Sequence, residues 1–286
     1  MSNKRIAIQG ILGSFHDEAA KKYFGDDITI VECDTFRTLC DALKDEKADC
    51  AVMAIENTLA GSMLPNYALM REYHLKIIGE VFLHIQMNLL ALPGVKLSDI
   101  EVVISHPIAI RQSAEYLQTL KNVKIVEQND TAQSVKHIKD NNLTNTAAVA
   151  GVNAALLYGL EPLEKRIETH KRNYTRFLAL TKRSNGGEGV NKASICFEVG
   201  HYAGALAKVL NIFAENGINL TKIQSVPIIG KPYEYTFHVD IEWDNYDAYE
   251  IAIHEVLKNV SSLSILGEYK KGDMNFDNEI DKWVAV

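Results

Sequence analysis

Short apolar segments alternate with helical patterns from Arg5 to about Thr181 of this 286-residue sequence. The segments RIAIQG, ITIVEC and CAVMAIE are separated by helical patterns at about Ser14 to Phe24 and Thr35 to Lys44. Such alternation indicates a largely parallel sheet with helices on both faces. A second set, HIQMNLLAL, VVISH, VKIVE and TAAVAG, is interrupted by helical patterns at Pro107 to Leu120 and Thr131 to Asp140. We therefore predict two α/β lobes, with a ligand cleft at the strand ends between them.

A change of composition at Thr181 to Asn191, TKRSNGGEGVN, marks the predicted domain boundary. The first domain is placed at residues 1–182. Residues 192–271 read as strand, helix, strand, strand, helix and strand, the βαββαβ order of a ferredoxin-like module. Residues 272–286 form an acidic, weakly patterned tail, either a partly disordered terminus or an arm that docks Trp283 on a neighbouring subunit.

Charge and cysteine usage exclude several classes of protein. Thirty lysines and arginines against 37 aspartates and glutamates give a net charge of −7, so nucleic acid is not an expected partner. The start lacks a signal-peptide apolar region and no stretch approaches the ~20 apolar residues of a membrane span, so we expect a cytoplasmic protein that does not bind membranes. The four cysteines form neither a CxxC pair nor a cluster with histidine, so neither disulfides nor a metal site is predicted.

Four loops of the first domain have the composition of ligand contacts. Ser14 caps a helix in GILGSFHDEAA, and Glu56, Asn57 and Thr58 end an apolar strand. His106 precedes a proline that suits the first turn of a helix. Ordinary capping, turn formation or a structural histidine explain these three loops equally well at this point. The fourth loop, HKRNYTRFLAL, concentrates three basic residues in an acidic protein, which predicts an anionic ligand.

Taken together, the loops resemble the prephenate dehydratase family. The resemblance rests on the GxxGSF loop, IENTLAGS, SHP, DTA and, above all, NYTRF at residues 173–177. The segment GALAKVLNIFAENGINLTKIQSVP resembles the ACT regulatory domain that follows the catalytic domain in that family. Three motifs depart from the family pattern at four positions: Thr58 replaces serine, Ile108 replaces glutamine, and Glu-Ser-Arg-Pro becomes Gln224-Ser225-Val226-Pro227.

The resemblance implies a fold and an activity. The expected fold is a two-lobed, periplasmic-binding-protein-like α/β catalytic domain followed by an ACT domain. The expected reaction converts prephenate to phenylpyruvate with loss of carbon dioxide and water, without a metal or other cofactor. Thr175 is the implied hydrogen-bond donor to the leaving hydroxyl, in a relay whose upstream member the sequence does not identify. Implied substrate-binding residues are Ser14, Glu56, Asn57, Thr58, His106, Thr131, Asn173, Arg176 and Phe177; Arg176 either holds a carboxylate or orders the loop, and Phe177 packs.

Regulation by phenylalanine, bound between the ACT domains of paired subunits, is also implied, so we expect a homodimer or homotetramer. The implied effector residues are Gly204, Ala205, Leu206, Asn219, Leu220, Gln224, Ser225 and Pro227. Alternatives remain: arogenate dehydratase, which performs the same elimination on an amino-bearing substrate; a non-catalytic amino-acid or anion sensor; and an ACT domain that dimerises without an effector. The short segment before the first strand has no room for a chorismate mutase helix bundle, which indicates a monofunctional enzyme.

Overall fold

The computed structural model describes residues 3–183, 189–228 and 230–273. Part of the predicted boundary segment and most of the predicted tail, including Trp283, therefore lie outside the described residues. The described chain divides into two compact units. The first contains residues 3–69 and Val81–Phe177, and the second contains Met70–Glu80 and Leu178–Gly272. None of the described helices combines the length and apolarity that crossing a membrane requires.

Strands are numbered in chain order. Apolar runs such as CAVMAIE form strands buried on both faces, as expected where helices cover a sheet. The strands are β1 Lys4–Gln9, β2 Ile28–Cys33, β3 Cys50–Asn57, β4 Gly61–Ser62, β5 Lys76–His84, β6 Asn88–Ala91, β7 Val102–Ser105, β8 Lys124–Glu127, β9 Thr146–Ala150, β10 Glu161–Glu164, β11 Tyr174–Thr181, β12 Lys192–Glu198, β13 Asn219–Pro227, β14 Tyr235–Glu242 and β15 Ser262–Tyr269.

Helices begin where polar caps satisfy the first backbone N–H groups. The predicted helix at Pro107 to Leu120 is instead two short helices, because Ser113 leaves helical geometry with φ −109° and ψ 15°. The α-helices are α1 Phe15–Phe24, α2 Phe36–Lys44, α3 Leu64–Glu72, α4 Pro107–Gln112, α5 Ala114–Leu117, α6 Thr131–Asp140, α7 Val152–Tyr158, α8 Ala205–Glu215 and α9 Tyr246–Leu257, and Leu97–Asp99 forms a 3₁₀ turn.

The first sheet has the strand order β2-β1-β3-β11-β5, with β4 paired to β3. Strand β1 is parallel to both β2 and β3. The late strand β11 lies beside β3, although more than a hundred residues separate them in the chain. This placement brings the end of β3, at Asn57, next to the start of β11, where the NYTRF motif lies.

The second sheet has the order β10-β6-β9-β7-β8. Strand β7 is parallel to β8 and β9, whereas β6 is antiparallel to β9 and β10. Within this second sheet, the predicted parallel arrangement therefore holds only for β7, β8 and β9. A core of fully buried residues, including Leu90, Val135, Ile138 and Ala148, packs α6 against this sheet.

Two chain segments cross between these sheets within the first unit. Ile85 N–H donates to the Asn173 carbonyl at 2.7 Å, and Ile167 N–H donates to the Met87 carbonyl at 2.7 Å. The buried Glu168 carboxylate accepts a further hydrogen bond from Met87 N–H at 2.9 Å. The two crossings are therefore tied to each other, and Ile85 and Met87 of the first crossing also line a cavity.

The second unit has the βαββαβ element order that the sequence indicates, with strand order β13-β14-β12-β15 and antiparallel neighbours. Helices α8 and α9 cover one face of the sheet, where Ile195, Phe197, Phe213, Val239 and Val256 are buried together.

Met70–Glu80 also belongs to the second unit, which the sequence analysis did not anticipate. The Lys192 ammonium, 3% exposed, lies 2.9 Å from the Glu80 carboxylate and 3.1 Å from that of Glu242. Gly267 approaches the Ile77 backbone so closely that an added Cβ would lie 2.0 Å from the Ile77 carbonyl oxygen.

Replacing Gly267 with alanine is therefore expected to lower the free energy of unfolding by about 2 kcal/mol or more, since backbone rather than a mobile side chain must move. Urea unfolding followed by circular dichroism measures this. Gly200→Ala is the matched control, because its Cβ would meet only the ring of Tyr202, which is 62% exposed and able to rotate. Equal stability losses in the two variants would contradict the close approach of Ile77.

Candidate active site

A cavity of about 280 Å³ lies in the first unit, where strand ends of the first sheet meet helix starts of both lobes. Much of its wall is apolar, with Phe15, Phe36, Ile85, Met87 and Ile108 among the contributors. The polar groups that line it are Gln9, Ser14, His16, Asn57, His106, Gln112, Asn129, Asp130, Thr131 and Thr175.

Three of the helices that begin at this cavity have their N-cap residues among its lining residues. Ser14 Oγ accepts from Asp17 N–H at 3.3 Å at the start of α1, and Asp130 Oδ1 accepts from Gln133 N–H at 2.9 Å at the start of α6. His106 Nδ1 accepts from Ile108 N–H at 3.2 Å at the start of α4. Helix starts carry partial positive charge, so the cavity favours a ligand with negative charge.

Asn57 is the centre of a hydrogen-bond network that includes Thr175. Asn57 Oδ1 accepts from Leu59 N–H at 3.0 Å and from Ala60 N–H at 2.9 Å, which fixes the orientation of its amide. The amide nitrogen therefore faces β11, where it donates to Thr175 Oγ1 at 2.9 Å and to Asn173 Oδ1 at 2.7 Å.

The direction of the bond to Thr175 determines what that hydroxyl does. Because Thr175 Oγ1 accepts from Asn57, its own O–H proton must be donated elsewhere. No acceptor among the described residues takes that proton. Thr175 lines the cavity, so its proton is available to a ligand bound there.

Gln112 belongs to the same network, and the sequence analysis missed it. Its Oε1 accepts from Asn173 Nδ2 at 2.9 Å, and its Nε2 lies 3.4 Å from Asn57 Oδ1. Gln112 lies on the same face of α4 as Ile108, four residues earlier, and both line the cavity. This helical spacing was the available signal, because His106 and Pro107 already marked the helix start.

Thr131 and Phe177, two of the substrate-binding residues that the resemblance implies, line the cavity. The Phe177 ring packs edge-on against His16, with ring centroids 5.0 Å apart. Asn173 is fully buried behind Thr175 and reaches the cavity only through Asn57 and Gln112.

Besides Asn173, three implied binding residues do not line the cavity. The Thr58 hydroxyl accepts from Tyr174 N–H at 3.0 Å and donates to the Arg172 carbonyl at 3.3 Å, so it joins β3 to β11. Glu56 is half-buried on β3. Arg176 is 6% exposed and lies between Thr175 and Phe177 on a strand, so it points to the opposite face of the sheet.

Burial is the main cause of the pKa shifts of His16, His106 and Asp130, which line the cavity. Burial lowers the pKa of His16 to about 3, so this ring is neutral, and its Nε2 accepts from Ala54 N–H at 3.3 Å. Burial also lowers the pKa of His106 and raises that of Asp130. No described lysine or arginine lines the cavity, and the described His, Cys, Asp and Glu residues nowhere gather in threes as a metal site requires.

Comparison with known proteins adds independent evidence. Residues 6–185 match the family model described as prephenate dehydratase. Arogenate dehydratase 5, chloroplastic, of Arabidopsis thaliana is 38% identical over 288 residues, which cover 94% of this chain and 68% of the relative.

Two solved structures are similar over nearly the whole chain. One, described as GqqA, a novel type of quorum quenching acylase, has a TM-score of 0.83 and 30% identity, covering 94% of this chain and 98% of its own. The other is prephenate dehydratase in complex with L-Phe from Arthrobacter aurescens, with a TM-score of 0.82, 26% identity and coverage of 93% and 89%.

Proposed function

The chain belongs to the prephenate dehydratase family, as its motifs indicated, and on that premise we propose that it converts prephenate to phenylpyruvate, carbon dioxide and water. The observation that carries the proposal is the hydrogen bond from Asn57 to Thr175, which leaves the Thr175 proton available inside the cavity. A site that only bound an anion would have no need for a hydroxyl held in this orientation.

The reaction breaks two bonds of the substrate ring. The carbon–carboxylate bond releases carbon dioxide, and its electron pair enters the ring as the carbon–oxygen bond breaks. The departing hydroxide is a poor leaving group and needs a proton as it leaves. Thr175 supplies a hydrogen bond to that oxygen, and because threonine is a very weak acid, its hydroxyl acts as a relay. The proton that completes the water molecule enters through the cavity.

The apolar wall suits the decarboxylation. A carboxylate is stabilised by water and by cations, whereas the carbon dioxide formed from it is not, so a poorly solvating wall favours the transition state. Phe15, Phe36, Ile85 and Met87 supply such a wall, and the three helix starts supply positive potential for the carboxylate that remains.

Asp130 favours arogenate as a second candidate substrate. Arogenate carries an ammonium group where prephenate carries a keto group, and Asp130 places a carboxylate on the cavity wall. Burial raises the pKa of Asp130, and a bound ammonium would reverse this effect by stabilising the charged form. The relative named arogenate dehydratase supports the same candidate.

The second unit is, in this proposal, an ACT domain that binds phenylalanine where two subunits pair, in a homodimer or homotetramer. Gly204, Ala205 and Leu206 start α8, and Asn219, Leu220, Gln224, Ser225 and Pro227 lie on the edge strand β13. An edge strand leaves backbone groups that a second subunit can pair with. The structure of a relative in complex with L-Phe supports the choice of effector.

The catalytic proposal is tested by Thr175→Val, which removes the hydroxyl and keeps the shape. We expect phenylpyruvate formation from prephenate to fall by about 10²-fold or more in kcat, the usual contribution of a positioned proton donor. Thr175→Ser is the matched control and should retain most of the rate. If purified wild-type protein forms no product from prephenate or arogenate, or if Thr175→Val turns over normally, the proposal is wrong.

Substrate choice is tested by Asp130→Asn, which keeps the N-cap of α6 and removes the charge. If arogenate is the substrate, kcat/KM for arogenate should fall by about tenfold or more, a loss of about 1.4 kcal/mol, while that for prephenate is kept or improved. Asp140→Asn, at the other end of α6, serves as the control. Equal effects on both substrates would show that Asp130 does not discriminate between them.

Regulation is tested by adding L-phenylalanine to the wild-type protein. A ligand that binds the folded state raises the melting temperature, so we expect L-phenylalanine, and not D-phenylalanine, to do so and to change the turnover rate. Gly204→Ala should abolish the shift, because φ at Gly204 is 86° and alanine strains this turn. Gly217→Ala imposes similar strain at the other end of α8 and should keep the response. If saturating L-phenylalanine leaves the melting temperature of the wild-type protein unchanged, the proposed effector site is wrong.

A further inference from the structure

A second cavity, of about 560 Å³, adjoins the one described above and lies within the same unit. The two cavities share Ala60, Ile108 and Gln112 as lining residues. We call them the inner cavity, which contains Thr175, and the outer cavity. The outer cavity differs in its polar groups, which are those of Arg111, Glu115, Thr169 and His170.

The outer cavity supplies the positive side chain that the inner one lacks. The Arg111 guanidinium makes no hydrogen bond or ion pair with the rest of the described chain. Its charge reaches the inner wall, because Arg111 adds to the effect of burial in lowering the pKa of His106. Arg111 also directly precedes Gln112, which is hydrogen-bonded to both Asn57 and Asn173.

The proposed reaction requires that the cation lie away from the carboxylate that leaves. Prephenate and arogenate each carry two carboxylates, and only the one on the ring leaves. A cation bound to the leaving carboxylate would stabilise the ground state more than the transition state and slow the reaction. A cation on the side-chain carboxylate has no such cost, because that group persists unchanged in the product.

Resting on the proposed function, the geometry points to Arg111 as the residue that binds the side-chain carboxylate of the substrate. The substrate then spans the shared wall, with its ring in the inner cavity beside Thr175 and its side chain directed past Gln112 into the outer cavity. Guanidinium groups bind carboxylates through paired N–H donors, so Arg111 fixes the orientation of the ring as well as its affinity.

Glu115 is the one acidic residue among the described residues that line the outer cavity, and so the one that could compete for Arg111 there. It follows Arg111 by four residues, but the two residues lie on different short helices, α4 and α5, which are separated at Ser113. No ion pair forms between these two described side chains. The guanidinium is therefore available to an incoming carboxylate.

Binding of 3-phenyllactate and 2-phenylethanol tests the inference, because these stable compounds differ only in the carboxylate. Calorimetry on the full-length protein should show that Arg111→Gln weakens the binding of 3-phenyllactate by about tenfold or more, because one charge-assisted contact is lost. The affinity for 2-phenylethanol should be unchanged. Lys121→Gln, the same change of charge at an exposed site that lines neither cavity, is the control. Glu115→Gln should bind 3-phenyllactate at least as tightly as the wild type.

In steady-state kinetics, Arg111→Gln should raise KM by a larger factor than it lowers kcat, since the carboxylate contact is present in both the ground and transition states. Equal affinities of Arg111→Gln and Lys121→Gln for 3-phenyllactate would overturn the inference, and so would loss of both ligands together. Failure of the proposed function is a separate result. If the wild type binds 3-phenyllactate through Arg111 but turns over neither substrate, the carboxylate site is supported and the proposed dehydratase activity is wrong.

Discussion

The side chain of Asn57 is the interaction on which the site depends. Its amide oxygen is held by two backbone N–H groups of the loop that follows β3, and its amide nitrogen is thereby directed at Thr175 on β11 and at Asn173 just before that strand. Gln112 extends the same network to the second lobe. One buried amide thus joins two adjacent strands and a helix of the facing lobe. A network of this kind must be fully satisfied to be stable.

The cavity combines this polar network with an apolar wall, and the balance between them sets the chemistry. His16 is held neutral by burial, and no described cation lines the inner cavity. Positive potential comes instead from three helix starts, whose partial charges are fixed by the backbone and need no counter-ion. Such a site attracts an anionic substrate without fixing a full positive charge beside the carboxylate that must leave.

Sequence patterns predicted much of the local structure. Helices α1 and α2 begin and end close to the predicted positions, because their caps are encoded locally by Ser14 and Thr35. Strand order was not predictable, since the insertion of β11 between β3 and β5 depends on contacts between residues far apart in the chain. The assignment of Met70–Glu80 to the second unit depends on the buried pair of Glu80 with Lys192, and nothing near either residue signals it.

For Arg176, the alternation of side chains along a strand argues against the carboxylate-binding role that the motif implied. Arg176 lies in NYTRF between Thr175 and Phe177, and β11 is a regular strand, so neighbouring side chains must point to opposite faces. Two residues of the motif therefore face the cavity, and the arginine between them cannot do so. Its position on the buried side of the sheet leaves the carboxylate to another cation. Arg111 is the one arginine or lysine among the described residues that line the adjoining outer cavity, where α4 presents it beside Gln112.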